Sequence, residues 1–258
     1  MTLPAEHFPV SVTRGNPAAP FLFVCEHASS HIPPEYENLG LQEAALTSHI
    51  AWDPGALLVT NRLRESFDAC AVTGKISRLI YDCNRPPESP SAIPIESERC
   101  SIPGNQNLTD DQRIARIEAC YRPFENVLEN EISRLPATIG LVTIHSFTPV
   151  YNGRQRDVEL GILHDDDSRF ADAMLAVAAQ HSSFNVQRNQ PYGPEHGVTH
   201  TLKRHGIKNG LLNVMLEIRN DHLQTPDACY SVADMLENWL ADALDNYSSQ
   251  SDAMEVRA

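Results

Sequence analysis

Three short apolar runs in this chain each stop at residues able to bind a metal or move a proton. Phe21–Cys25 runs into Glu26 and His27, Leu141–Ile144 into His145 and Ser146, and Leu211–Leu216 into Glu217, Ile218 and Arg219. Runs this short, rich in Val, Ile, Leu and Phe, read as buried strands. Open α/β sheets place ligands beyond the carboxyl ends of their strands, so all three polar termini fall where a hydrolase needs its chemistry.

The rest of the chain alternates strand and helix patterns. Helical spacing is expected at 43–51 and at 54–66, where Asp53-Pro54 fits an N-cap followed by proline at the first helical position. Strands are expected at 69–73 and 76–81, then a long proline- and serine-rich loop over 83–107. Thr109-Asp110 opens a helix to about 134, with Ile114, Ile117, Tyr121, Phe124 and Val127 at three-to-four spacing. A strand at 141–145, a strand at 158–163, a helix at 167–181, an extended stretch at 184–187, a short helix within 190–206, a strand at 211–218 and a helix at 230–246 complete the pattern. Such alternation predicts an α/β fold, a central sheet covered on both faces, with residues 1–258 as one domain.

Composition narrows the class. The formal charge of −14 argues against nucleic-acid or acidic-membrane surfaces, yet leaves room for a small anion held by a few focused arginines. No apolar stretch reaches the roughly 20 residues of a membrane span, and Met1–Val12 carries no basic cluster before an apolar core, so a cytoplasmic location is expected. The six cysteines are scattered singly and read as reduced thiols.

Chemistry concentrates at the strand ends. His27 and His145 are expected at one rim of the sheet, and a catalytic zinc needs three protein ligands with one position left for water. The third ligand stays open between Glu26, which as a strand neighbour of His27 faces the other way, and Asp53, which also reads as a helix cap; His31 and His49 are further candidates. Glu217 ends a buried strand, where an unpaired carboxylate is costly, so it reads as a general base or as the ion-pair partner of Arg219. Arg78, Arg85, Arg154, Arg156 and Arg219 recur at element ends, and a guanidinium binds a carboxylate through paired hydrogen bonds. Cys25 reads as a buried strand residue, and the chain has no phosphate loop, G-x-S-x-G elbow or H-E-x-x-H helix.

Seven fragments in one order resemble the N-formylglutamate amidohydrolase family: Cys25-Glu26-His27-Ala28-Ser29, His49-Ile50-Ala51-Trp52-Asp53, Ser77-Arg78-Leu79-Ile80 with Asp82, Asn84 and Arg85, Ile102-Pro103-Gly104-Asn105, His145-Ser146-Phe147-Thr148-Pro149, Tyr192-Gly193 with His205, and Glu217-Ile218-Arg219. The resemblance implies a zinc-carboxypeptidase-like (phosphorylase/hydrolase-like) fold, three layers α/β/α around a mixed sheet. It implies metal-dependent hydrolysis of the N-acyl amide of an acidic amino acid, N-formyl-L-glutamate giving formate and L-glutamate. Carried over by position, His27, His145 and Asp53, with Glu26 as the alternative, would hold a divalent metal, most simply zinc. Glu217 would be the base, and Arg78, Arg85, Arg156, Arg219 and Asn84 would bind a small anionic N-acyl amino acid. An amidase or carboxypeptidase for another N-acyl substrate, or a non-catalytic carboxylate-binding relative, are the competing expectations. Where the family pattern has Arg-Pro-Trp-His before Gly-Val, this chain has Arg156-Asp157-Val158-Glu159 before Leu160-Gly161.

Overall fold

The computed structural model describes residues 9–255, so most of the Met1–Val12 reading lies outside the described residues. In chain order the elements are β1 (Val10–Thr13), β2 (Phe21–Cys25), α1 (Glu43–Leu46), α2 (Ala56–Ser66), β3 (Cys70–Gly74), the hairpin β4 (Glu96–Ser97) and β5 (Cys100–Ser101), α3 (Asp110–Arg116) and α4 (Arg122–Arg134). There follow β6 (Gly140–Phe147), the hairpin β7 (Val150–Tyr151) and β8 (Arg154–Gln155), β9 (Leu160–Leu163), α5 (Arg169–His181), β10 (Val186–Arg188), β11 (Leu212–Arg219) and α6 (Pro226–Glu255).

Seven strands form one mixed sheet in the order β1-β3-β2-β6-β11-β9-β10. The pairs β3–β2, β2–β6, β6–β11 and β9–β10 are parallel, whereas β1 runs antiparallel to β3 and β9 to β11. Alternation along each strand sorts the apolar side chains between two faces. Phe21, Phe23, Val142, Ile144, Val214 and Leu216 pack with residues of α2, α5 and α6, including fully buried Trp239, whose indole N–H donates to the Met174 carbonyl at 2.8 Å. Leu22, Val24 and Leu141 turn the other way, onto Phe124 and Leu128 of α4. Helices on both faces give the three-layer arrangement expected from the sequence.

The segment between β3 and α4 forms a separate apolar cluster with the connection between β2 and α2, built on Leu39, Leu79, Ile80, Tyr81, Ile93, Ile102 and Tyr121. This cluster overturns the expected strand at 76–81. Ile80 N–H donates to the Ser77 carbonyl at 2.9 Å and the Ser77 hydroxyl to the Ala51 carbonyl at 2.8 Å, so the apolar run is a buried turn. The helix expected at 43–51 shrinks to α1, and β1, a short edge strand, was not foreseen. Thr109 caps α3 with Gln112 in a reciprocal capping box, and a π-helical turn at Ile117–Tyr121 joins α3 to α4.

Candidate active site

Asp53 is not the cap of α2. Gly55 takes that position with φ of +83°, a backbone state that glycine adopts without strain, and a Cβ there would lie 2.5 Å from Leu223 Cβ. The turn frees the Asp53 carboxylate to point back under the sheet rim. Its Oδ2 lies 2.9 Å from His145 Nδ1 and 3.2 Å from His27 Nδ1, and those two ring nitrogens are 3.2 Å apart. The three side chains form the group among the described residues whose donor atoms converge as a metal's ligands would.

The outer nitrogens each face a carboxylate. His27 Nε2 is 2.7 Å from Asp82 Oδ1, and an ionised carboxylate only accepts, so that nitrogen carries the proton. His145 Nε2 lies 3.1 Å from Glu26 Oε2 in an ion-pair contact outside hydrogen-bond alignment. Each Nδ1 lies within 3.2 Å of Asp53 Oδ2, so a divalent ion replacing the protons there would meet two ring nitrogens and one carboxylate oxygen. Glu26 therefore stands behind His145 instead of joining the ligand group, which corrects the reading of Glu26 as third ligand. Asp82 plays the same part for His27 and was missed, although it closes the run Leu79-Ile80-Tyr81.

Burial disfavours charge at every one of these groups, and mutual attraction decides the outcome. Burial would raise Asp53, but His27 and His145 outweigh it and hold the carboxyl far below its usual range. Asp82 is likewise held well down by His27 and Arg78 against burial. Burial would lower His145, yet Glu26 and Asp53 raise it well above the ordinary imidazole value. The three carboxylates thus hold positive charge on the two rings, charge that a bound divalent ion would replace.

Glu217 behaves oppositely. Burial lifts its carboxyl to about 7, aided by the Asp53 charge and opposed by His145 and Arg78. Its Oε2 is buried without a hydrogen-bond partner, so the alternative of an ion pair with Arg219 does not hold. His27, Asp53, His145 and Glu217 open into one cavity of about 350 Å³, within the range of small-ligand pockets.

The sequence-nominated arginines divide. Arg78 lines the cavity, donating from Nη2 to Asp82 Oδ2 at 2.8 Å and from Nη1 to Asp53 Oδ1 at 3.3 Å. Arg85 also lines it, its Nη1 donating to the His196 carbonyl at 2.8 Å. Asn84 lines the wall but spends its amide on the Val198 carbonyl and the Thr201 N–H, which makes it an anchor for that segment. Arg219 is a correction: it binds Asp221, Glu159 and the carbonyl of Arg156 and does not line the cavity. Arg156 is another, since it lies behind the aromatic residues Phe147, Tyr151 and Tyr192. His49 reaches the rim paired with Glu98 at 2.8 Å, and His31 is not among the lining residues. Ser91, Pro94 and Glu96–Glu98 of the expected 83–107 loop build the outer wall.

A family model for N-formylglutamate amidohydrolase matches residues 19–223. No curated protein sequence matches the chain. Among solved structures the chain is similar to a gene product of Agrobacterium tumefaciens, with 51% identity and a TM-score of 0.90 over 95% of this chain and 98% of that one. It is also similar to N-formylglutamate amidohydrolase from Ralstonia eutropha JMP134, with a TM-score of 0.58 over 95% of this chain and 99% of that one; at 15% identity that likeness speaks for the fold alone. The matched segment contains His27, Asp53, Arg78, Asp82, His145 and Glu217, and the chain belongs to the N-formylglutamate amidohydrolase family.

Proposed function

We propose that the protein is a metal-dependent amidohydrolase that cleaves the linear C–N bond of a small anionic N-acyl amino acid, N-formyl-L-glutamate foremost, to formate and L-glutamate. One observation carries this reading: two imidazole nitrogens and a carboxylate oxygen converge within 3.2 Å, beside a carboxylate that has no hydrogen-bond partner of its own. Two nitrogens and one oxygen fit zinc, with carboxylates behind both rings to orient them.

Zinc held by His27, His145 and Asp53 would lower the pKa of water towards roughly 7 and polarise the acyl carbonyl. Glu217 takes the proton of the attacking water and returns it to the departing amine nitrogen. Arg78 and Arg85 face the cavity with donors for the substrate carboxylate. Burial around Glu217 keeps its basicity high enough to accept a proton near neutrality.

The test combines metal analysis with a formate assay. Protein purified without added metal should carry about one zinc per chain, lose turnover with chelator, and release formate from N-formyl-L-glutamate. Absence of stoichiometric metal together with indifference to chelator would sink the reading. A second reading, hydrolysis of another N-acyl amino acid, is favoured by one finding. Arg156 and Arg219 are committed elsewhere, leaving two lining arginines, both beside Asp82, to serve a dicarboxylate. Release of a larger acyl group from uncharged amino acids, with no formate from N-formyl-L-glutamate, would select it.

A further inference from the structure

The hydroxyl oxygen of Tyr192 accepts a hydrogen bond from Arg156 Nη2 at 2.9 Å. A guanidinium has donors only, so this bond occupies an oxygen lone pair and leaves the phenolic proton to be placed elsewhere. Among the described residues that hydroxyl donates to no protein acceptor. Arg156 is itself immobilised: its Cζ lies 5.4, 4.4 and 4.8 Å from the ring centroids of Phe147, Tyr151 and Tyr192, and Nη1 donates to the Thr148 carbonyl at 3.3 Å.

The backbone brings Tyr192 to the reacting side of the cavity. Gly161 is the register partner of Glu217 across β9 and β11, and a Cβ on it would sit 1.9 Å from the Gln190 carbonyl oxygen. The missing side chain lets the Gln190 backbone, two residues before Tyr192, lie against the sheet at the register partner of Glu217. Both Tyr192 and Glu217 line the cavity, and Arg156 does not. Burial raises the phenol above its ordinary pKa and the Glu217 charge adds to this, so Tyr192 keeps its proton at neutral pH.

We propose that Tyr192 is a catalytic hydrogen-bond donor to the oxygen that gains charge when the acyl carbonyl is attacked, and that Arg156 is a positioning residue acting through it. The proposal rests on the amidohydrolase reading above. The phenol donates a hydrogen bond without giving up its proton, and Glu217 alone carries the proton from water to amine. A donor fixed before reaction stabilises charge that develops only in the transition state.

The experiment uses zinc-loaded full-length protein and two readouts. Tyr192→Phe, checked for unchanged thermal unfolding, should lower kcat by roughly 10²–10³ while KM moves little. The same variant should bind a tetrahedral phosphonamidate analogue of the N-acyl amide more weakly by a similar factor in calorimetry. Arg156→Gln should lower kcat alone and add little in the Tyr192→Phe background, whereas additive losses would overturn its positioning role. A Tyr192→Phe enzyme with unchanged kcat, a change confined to KM, or full analogue affinity would overturn the catalytic role and leave the amidohydrolase reading standing. A wild type that neither turns over an N-acyl panel nor binds the analogue would remove that reading and this proposal with it.

Discussion

Glu217 and His145 are register partners in adjacent parallel strands, β11 and β6, so their side chains leave the same face of the sheet one strand apart. The proposed base and a proposed metal ligand thus share a rigid spacing fixed by backbone hydrogen bonds. No loop movement is needed to bring them together.

Replacing Glu217 with Gln should lower kcat by roughly 10²–10⁴ and leave zinc content unchanged. A base must be ionised to work, so kcat/KM of the wild type should rise with pH up to about 7, where burial places this carboxyl. A bound dication attracts the ionised form and moves that limb towards lower pH. A pH profile of the wild type, with metal analysis of both proteins, checks this. An acid limb that persists unchanged in residual Glu217→Gln activity contradicts the assignment.

Glu217 also imposes a pH dependence on the metal-free fold. Its folded value of about 7 lies above the ordinary 4.5, so between those values the folded chain holds a proton that the unfolded chain has released. Stability falls as pH rises through that window, and Glu217→Gln should escape the loss, gaining on the order of 3 kcal/mol over wild type at pH 8 relative to pH 4.5. Urea unfolding of both proteins in chelator measures the difference.

Asp82 and Glu26 orient the two imidazoles from behind, so Asp82→Asn and Glu26→Gln should each weaken zinc binding by roughly 10–100-fold. Asp82 also accepts from Arg78 at 2.8 Å, so its variant should additionally raise KM. Competition with a chromophoric chelator, alongside steady-state kinetics, separates the two effects.

Arg219 binds Glu159, Asp221 and backbone carbonyls outside the cavity. Its alanine variant should lose about 1–3 kcal/mol of stability through broken charged hydrogen bonds, with KM nearly unchanged. A large rise in KM at normal stability would return Arg219 to the substrate site.

Gly55→Ala should destabilise the fold by about 1–3 kcal/mol, because alanine is strained at this backbone state. The added Cβ would press on Leu223 and shift the turn carrying Asp53. Weaker zinc binding should accompany the lower melting temperature.

The strand-end residues were legible because a short apolar run closed by a histidine or glutamate has few readings: His27, His145 and Glu217 all reach one cavity. Asp53 stayed ambiguous because Asp before Pro is also a helix start, and only the left-handed turn at Gly55 separates the two. The run at 76–81 misled because apolar content reports burial without saying whether a sheet or a turn provides it. Arg219 misled for a related reason: two residues beyond Glu217, it lies where the strand ends, and Glu159 and Asp221 capture its guanidinium. Asp82 meets His27, and Arg156 meets Tyr192, across long sequence separations, and pairings of that kind leave no local pattern.

The separate apolar cluster around Ile80, Tyr81, Ile102 and Tyr121 has a consequence for how such a site can diverge. Arg78, Asp82 and Arg85 stand on that cluster's scaffold, while His145 and Glu217 belong to the sheet. Repacking the smaller core would re-aim Arg78 and Arg85 in the cavity without disturbing the strand-borne Glu217. The price is a tether, since Asp82 ties the smaller core to His27, so drift in selectivity is bounded by what the paired rings of His27 and His145 tolerate.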